Sequence, residues 1–96
     1  MFTHIVFFKL NDPTEEDITK AKNILMAMEG NIPQLKSVEV GVDVIHSERS
    51  YDLALITKFD SLDAMNEYQV HPYHVNEVLK YLRPMSKASA TVDYEA

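Results

Sequence analysis

Apolar residues recur along this chain with a period of two in some stretches and near 3.6 in others, and the changes of period mark the elements. Phe2 to Leu10 is apolar, rich in β-branched and aromatic residues, and stopped by Asn11-Asp12-Pro13, which predicts a buried strand. Its alternation puts His4, Val6, Phe8 and Leu10 on one face and Ile5 and Phe7 on the other, so both faces call for cover. Asp12-Pro13 then opens a helix with an acidic first turn, Glu15, Glu16 and Asp17. Ile18, Ala21, Leu25 and Met28, with Ile24 beside them, give it an apolar stripe of about four turns that Gly30 and Asn31 end, with Pro33 beyond.

Val38, Val40, Val42 and Val44 alternate with Glu39, Gly41 and Asp43, the clearest strand in the chain. A polar connection, His46 to Ser50, leads to a third strand over Tyr51 to Phe59, which the short link makes an antiparallel neighbour of the second. Asp60-Ser61 caps another helix, in which Leu62, Met65 and Tyr68 face inward. Proline disfavours the α region for the residue before it and suits the first position of a helix, so a corner is expected at His71 and a second segment from Pro72. Val75, Val78, Leu79 and Leu82 form its stripe, and Arg83-Pro84 stops it. The last strand spans Lys87 to Tyr94, with the small residues Ala88 and Ala90 on the face of Val92 and Tyr94.

The order β-α-β-β-α-β predicts an α+β, ferredoxin-like fold with an antiparallel four-stranded sheet, as one domain over residues 1–96. Two helices cover one sheet face. The other, expected to carry the alternating valines with Val6 and Phe8, is left uncovered, and an apolar face of that extent marks an interface. Two copies packed there would close a barrel, so a homodimer through the open sheet face is expected.

Composition narrows the function. Lys and Arg number 9 against 15 Asp and Glu, a net charge of −6 that argues against a nucleic-acid phosphate surface. There is no cysteine, so no thiolate or disulfide chemistry. No apolar run reaches membrane-spanning length, and Met1 to Lys9 lacks the features of a signal peptide, so a cytoplasmic location is expected.

The chemistry concentrates in Tyr68-Gln69-Val70-His71-Pro72-Tyr73-His74. His74 falls in the first turn of the segment after the corner, where the positive end of a helix disfavours imidazolium and helps keep the ring neutral, fit to act as a base. His71 is expected to bond a backbone group that the corner leaves unpaired. His71 and His74 lack a third ligand at suitable spacing, so no metal is expected. His4 must find a polar partner and is either a satisfied core histidine or a pocket wall, while His46 is expected in solvent.

These residues carry a resemblance to the stress-responsive dimeric α+β barrel (Dabb) family. It rests on His4-Ile5-Val6 with Phe8-Lys9, Ile32-Pro33, Val40-Gly41, Phe59-Asp60-Ser61, Tyr68-x-x-His71-Pro72-x-His74 and Asp93-Tyr94, nearly the whole chain. The resemblance implies a small homodimeric domain with Tyr68 and His74 at its pocket, where a small apolar carbonyl compound is expected to bind without a cofactor; His4, Val6 and Phe8, by their shared strand face, and His71, at the corner, are the further residues expected to contact it. It also implies an alternative, since polyketide cyclisation occurs in the family with a Tyr/His pair matching Tyr68 and His74. There His74 would take a proton α to a carbonyl and the Tyr68 hydroxyl would donate to the enolate oxygen. Leu53 departs from a polar lining at its position. Asp93 and Tyr94 are expected to do no more than pack the end of the last strand.

Overall fold

In the computed structural model, which describes residues 1–96, strand β1 (Phe2–Leu10) lies inside an antiparallel sheet of order β2-β3-β1-β4. The other strands are β2 (Ser37–Val42), β3 (Leu53–Phe59) and β4 (Ser86–Glu95). Helix α1 (Glu15–Met26) joins β1 to β2. Helix α2 (Leu62–Val70), a π-helical segment (His74–Leu79) and helix α3 (Lys80–Met85) join β3 to β4. This is the expected ferredoxin-like arrangement, and no helix is long and apolar enough to cross a membrane.

Capping explains where the helices start. The Thr14 hydroxyl accepts from the Asp17 N–H at 3.1 Å, and the Ser61 hydroxyl accepts from the Ala64 N–H at 3.1 Å. Helix α1 is shorter than its apolar stripe suggests. It ends at Met26, after which tighter turns carry Met28 into the core, and the Asn31 side-chain amide donates to the Ala27 carbonyl at 2.6 Å. Gly30, at φ 82°, supplies the left-handed step that reverses the chain. Likewise β2 stops at Val42, and Val44 and Ile45 are exposed at 80% and 75%. The Asp43 carboxylate accepts from the His46 N–H at 2.7 Å and turns the chain there. Tyr51 lies before β3, and the Asp52 carboxylate accepts from the Leu10 N–H at 2.8 Å where β1 ends.

The register overturns one expectation about faces. Opposite His4, Val6 and Phe8 stand Thr57, Leu55 and Leu53, all buried against the helices. Val38, Val40 and Val42 pair with the same three β3 residues and share that side. The valines, Val6 and Phe8 therefore face the helices. The uncovered face instead carries Ile5 and Phe7 with Ala54, Ile56, Ala90, Val92 and Tyr94. Leu62 and Val75, expected inside, are 49% and 42% exposed, because the core sides of their segments are taken by Met65, Tyr68, Val78 and Leu82.

Proline 84 does not stop the last helical segment but lies within α3, which runs to Met85. The freed end is held by Asn11. Its backbone N–H donates to the Met85 carbonyl and its side-chain amide to the Pro84 carbonyl, each at 2.8 Å. A register shift between Lys9 and Leu10 makes a bulge in β4, where Lys9 pairs with Ala88 and Leu10 with Ser86, leaving Lys87 as the extra residue.

Candidate functional site

Between the helix-facing side of β1 and β4 and the segment His74–Leu82 lies a cleft of about 430 Å³. Val6, Phe8, Leu55, Val78 and Leu82 give it apolar walls, and His4, Gln69 and His74 are its inner polar groups. The corner works as predicted. Helix α2 ends at Val70, His71 takes an extended conformation (φ −61°, ψ 135°), and the chain re-enters helix at Pro72. The turn widens into π geometry at His74, a form frequent at functional sites.

His74 is 5% exposed, and its Nδ1 lies 3.1 Å from the main-chain oxygen of Gln69. A carbonyl can only accept, so Nδ1 carries the proton and Nε2 keeps its lone pair in the neutral ring. Burial lowers its pKa below the usual 6.5. The Gln69 carbonyl opposes that shift, while the positive charge of Arg83 adds to it. Burial does the work that the sequence assigns to the helix's positive end.

Tyr68 meets His74, with ring centroids 4.3 Å apart and planes inclined by 41°. The pair singled out from sequence is thus brought together, and both members line the cleft. The Tyr68 hydroxyl, however, donates to the Met28 sulfur at 3.6 Å, in the core and outside the cleft lining. Burial raises its pKa well above the usual tyrosine value.

His4 is both a satisfied core histidine and a cleft wall. Its Nδ1 bonds the Asp93 carboxylate, and its Nε2 accepts from the Gln69 amide at 3.4 Å. Val6 and Phe8 line the cleft beside it. His71 does not line it. Its Nδ1 accepts from the Tyr73 N–H at 3.1 Å, the backbone-pairing role expected of it. His46 is exposed in the β2–β3 connection. No three His, Asp or Glu side chains gather as a metal site requires.

Sequence reasoning missed Asp93, Gln69, Arg83 and Lys87. Asp93 does more than pack a strand end, because β4 pairs antiparallel with β1 and sets it directly opposite His4. That pairing was available from the predicted fold. Arg83 lies on α3 and Lys87 shares the helix-facing side of β4 with Ser89 and Thr91, so both reach the cleft once that side of the sheet is known.

The sequence profile of the stress responsive A/B barrel domain family matches residues 2–96. An uncharacterized protein of Streptomyces coelicolor is 31% identical over 77 residues, which cover 77% of this chain and 79% of that protein. A dimeric protein of unknown function and ferredoxin-like fold from Bacteroides fragilis is 32% identical, with a TM-score of 0.84 over 99% of this chain and 95% of that one. A dimeric ferredoxin-like protein of unknown function from Thermobifida fusca is 28% identical, with a TM-score of 0.85 over 99% of this chain and 90% of that one.

Proposed function

The chain belongs to the stress responsive A/B barrel domain family, and from that premise we propose that it is a homodimeric domain binding a small, largely apolar carbonyl compound in the cleft lined by Tyr68 and His74. The observation that carries this reading is the make-up of the cleft. Its size suits a small molecule, its walls are aliphatic and aromatic, and a few polar groups meet inside it. His74 lines the cleft, and its Nε2 makes no hydrogen bond within the protein and is not fully buried, which supports its availability to a ligand. The dimer is supported by the uncovered face, where Phe7, Val92 and Tyr94 are 40%, 57% and 43% exposed, and by the dimeric relatives from B. fragilis and T. fusca.

The test is a titration with the methyl ester of γ-ketodecanoate followed by amide NMR. Saturable shifts centred on His4, Gln69, His74 and Val78 are expected. Shifts confined to the uncovered sheet face overturn the reading, as does their absence at millimolar concentration with both this ester and its parent acid.

A second reading, a cofactor-independent cyclase or lyase, is favoured by the fixed tautomer of His74. Nε2 would take the proton α to a carbonyl, the enolate carbon would attack a second carbonyl, and the proton would return to the alkoxide so formed. The Tyr68 hydroxyl would have to leave Met28 to assist. A screen of small β-dicarbonyl compounds tests this reading. Turnover by the wild type that His74→Ala abolishes is expected under it, and equal rates in the two remove His74 from the chemistry.

A further inference from the structure

The charges around the cleft are distributed unlike those of the chain. Acidic residues number 15 against 9 Lys and Arg overall, yet no Asp or Glu lines the cleft, while Arg83 and Lys87 both do. Neither cation is engaged by a carboxylate, since the ion pairs of the protein are His4–Asp93, Lys36–Asp60 and His46–Asp43. Asp93, opposite His4 on β4, is taken up by the His4 ring, and Asp52, at the end of β1, by the Leu10 N–H.

The backbone delivers these cations. Lys87 is the additional residue of the β4 bulge and keeps the strand's alternation, sharing the helix-facing side with Ser89 and Thr91 two and four residues on. Arg83 sits in the last turn of α3, whose end is held where the Asn11 amide donates to the Pro84 carbonyl. The Arg83 guanidinium is near enough to His74 to weigh against protonation of that ring. Ser89 and Thr91 line the same β4 wall.

We propose that the cleft takes its ligand as an anion: a carboxylate on an apolar, keto-bearing body, with the carboxylate held at the rim by Arg83 and Lys87 and the body lying against Val6, Phe8 and Val78. This rests on the reading of the cleft as a carbonyl-compound site and names the class of compound. Arginine offers paired donors matched to a carboxylate, and lysine adds a point charge. A net charge of −6 repels anions from the rest of the surface, so the rim is where one is accepted.

The test compares γ-ketodecanoate with its methyl ester, which differ in the charge and share the body. Calorimetry and amide NMR are run on wild type, Arg83→Gln, Lys87→Gln and the double variant. Both positions are exposed, so folding is expected to survive, and circular dichroism checks it. The acid is expected to bind wild type roughly tenfold more tightly than the ester, a preference that added salt weakens. The double variant is expected to bind acid and ester alike, with ester affinity unchanged. Equal binding of acid and ester by wild type overturns the anion proposal and leaves the carbonyl-site reading standing. A full preference for the acid in the double variant overturns the assignment to Arg83 and Lys87. Failure of both probes to shift cleft resonances overturns the proposal together with the reading it rests on.

Discussion

His74 donates its Nδ1 proton to the carbonyl oxygen of Gln69, 3.1 Å away across the Pro72 corner. One bond does two things. It satisfies a carbonyl in the last turn of α2, which has no helical partner once the chain turns at His71, and it fixes the imidazole tautomer. His74→Ala is therefore expected to cost stability as well as ligand affinity. Loss of the bond and of the ring packed on Tyr68 amounts to about 2 kcal/mol. Urea denaturation measures it, and a loss within error of zero would show the ring to be free of that duty.

The same histidine sets a pH dependence. Burial lowers its folded pKa below 6.5, so at acid pH the unfolded chain binds the proton more readily than the folded one. The contribution is flat above 6.5 and stability falls as pH drops below it, through the folded value. Thermal unfolding followed downward from neutrality is expected to show this slope, and His74→Gln to lack its share. The His74 Cε1 proton is expected to titrate with a midpoint under 6.5. A midpoint above it contradicts the burial argument.

Tyr68→Phe separates two roles for the ring. The hydroxyl meets only the weak acceptor Met28 Sδ at 3.6 Å, so removing it is expected to change stability by less than about 1 kcal/mol. Binding of γ-ketodecanoate is expected to stay within about twofold of wild type, as a lost hydrogen bond to the ligand would cost more. A loss beyond about tenfold would place the hydroxyl on the ligand.

The uncovered sheet face yields a test of assembly. Ile5 pairs with Ile56 on one side and Val92 on the other, making an apolar row across three strands. Ile56→Lys with Val92→Lys is expected to sediment as a single protomer at micromolar concentration, where the wild type sediments as two. A protomer-sized wild type would sink the dimer and leave the cleft, which lies on the opposite side, untouched.

The fold was legible because it depends on period. Alternation in β1 and β2, helical spacing in α1 and the proline corner each carried a local physical signal. The face assignment failed for a different reason. Period two says which residues share a side, but both sides of β1 are apolar, so the alternation of His4, Val6 and Phe8 with Ile5 and Phe7 could not say which side the helices cover. Tyr68 and His74 were legible as a pair, whereas the turn of the Tyr68 hydroxyl toward Met28 depends on how α1 packs. Arg83 and Lys87 were hidden for the same reason as the faces: one ends the predicted helix and the other begins the predicted strand, and neither period says which side of the sheet meets the helices.

The Asn11 clasp bears on how anything gets in. The segment over the cleft is pinned at its near end through His74 and Gln69, and at its far end where Asn11 grips Pro84 and Met85. A roof fastened at both ends does not lift like a hinged lid. A ligand of the proposed kind is therefore expected to enter sideways along the outermost strand, β4, with its rate of exchange following the width of that side gate and not the swing of a helix.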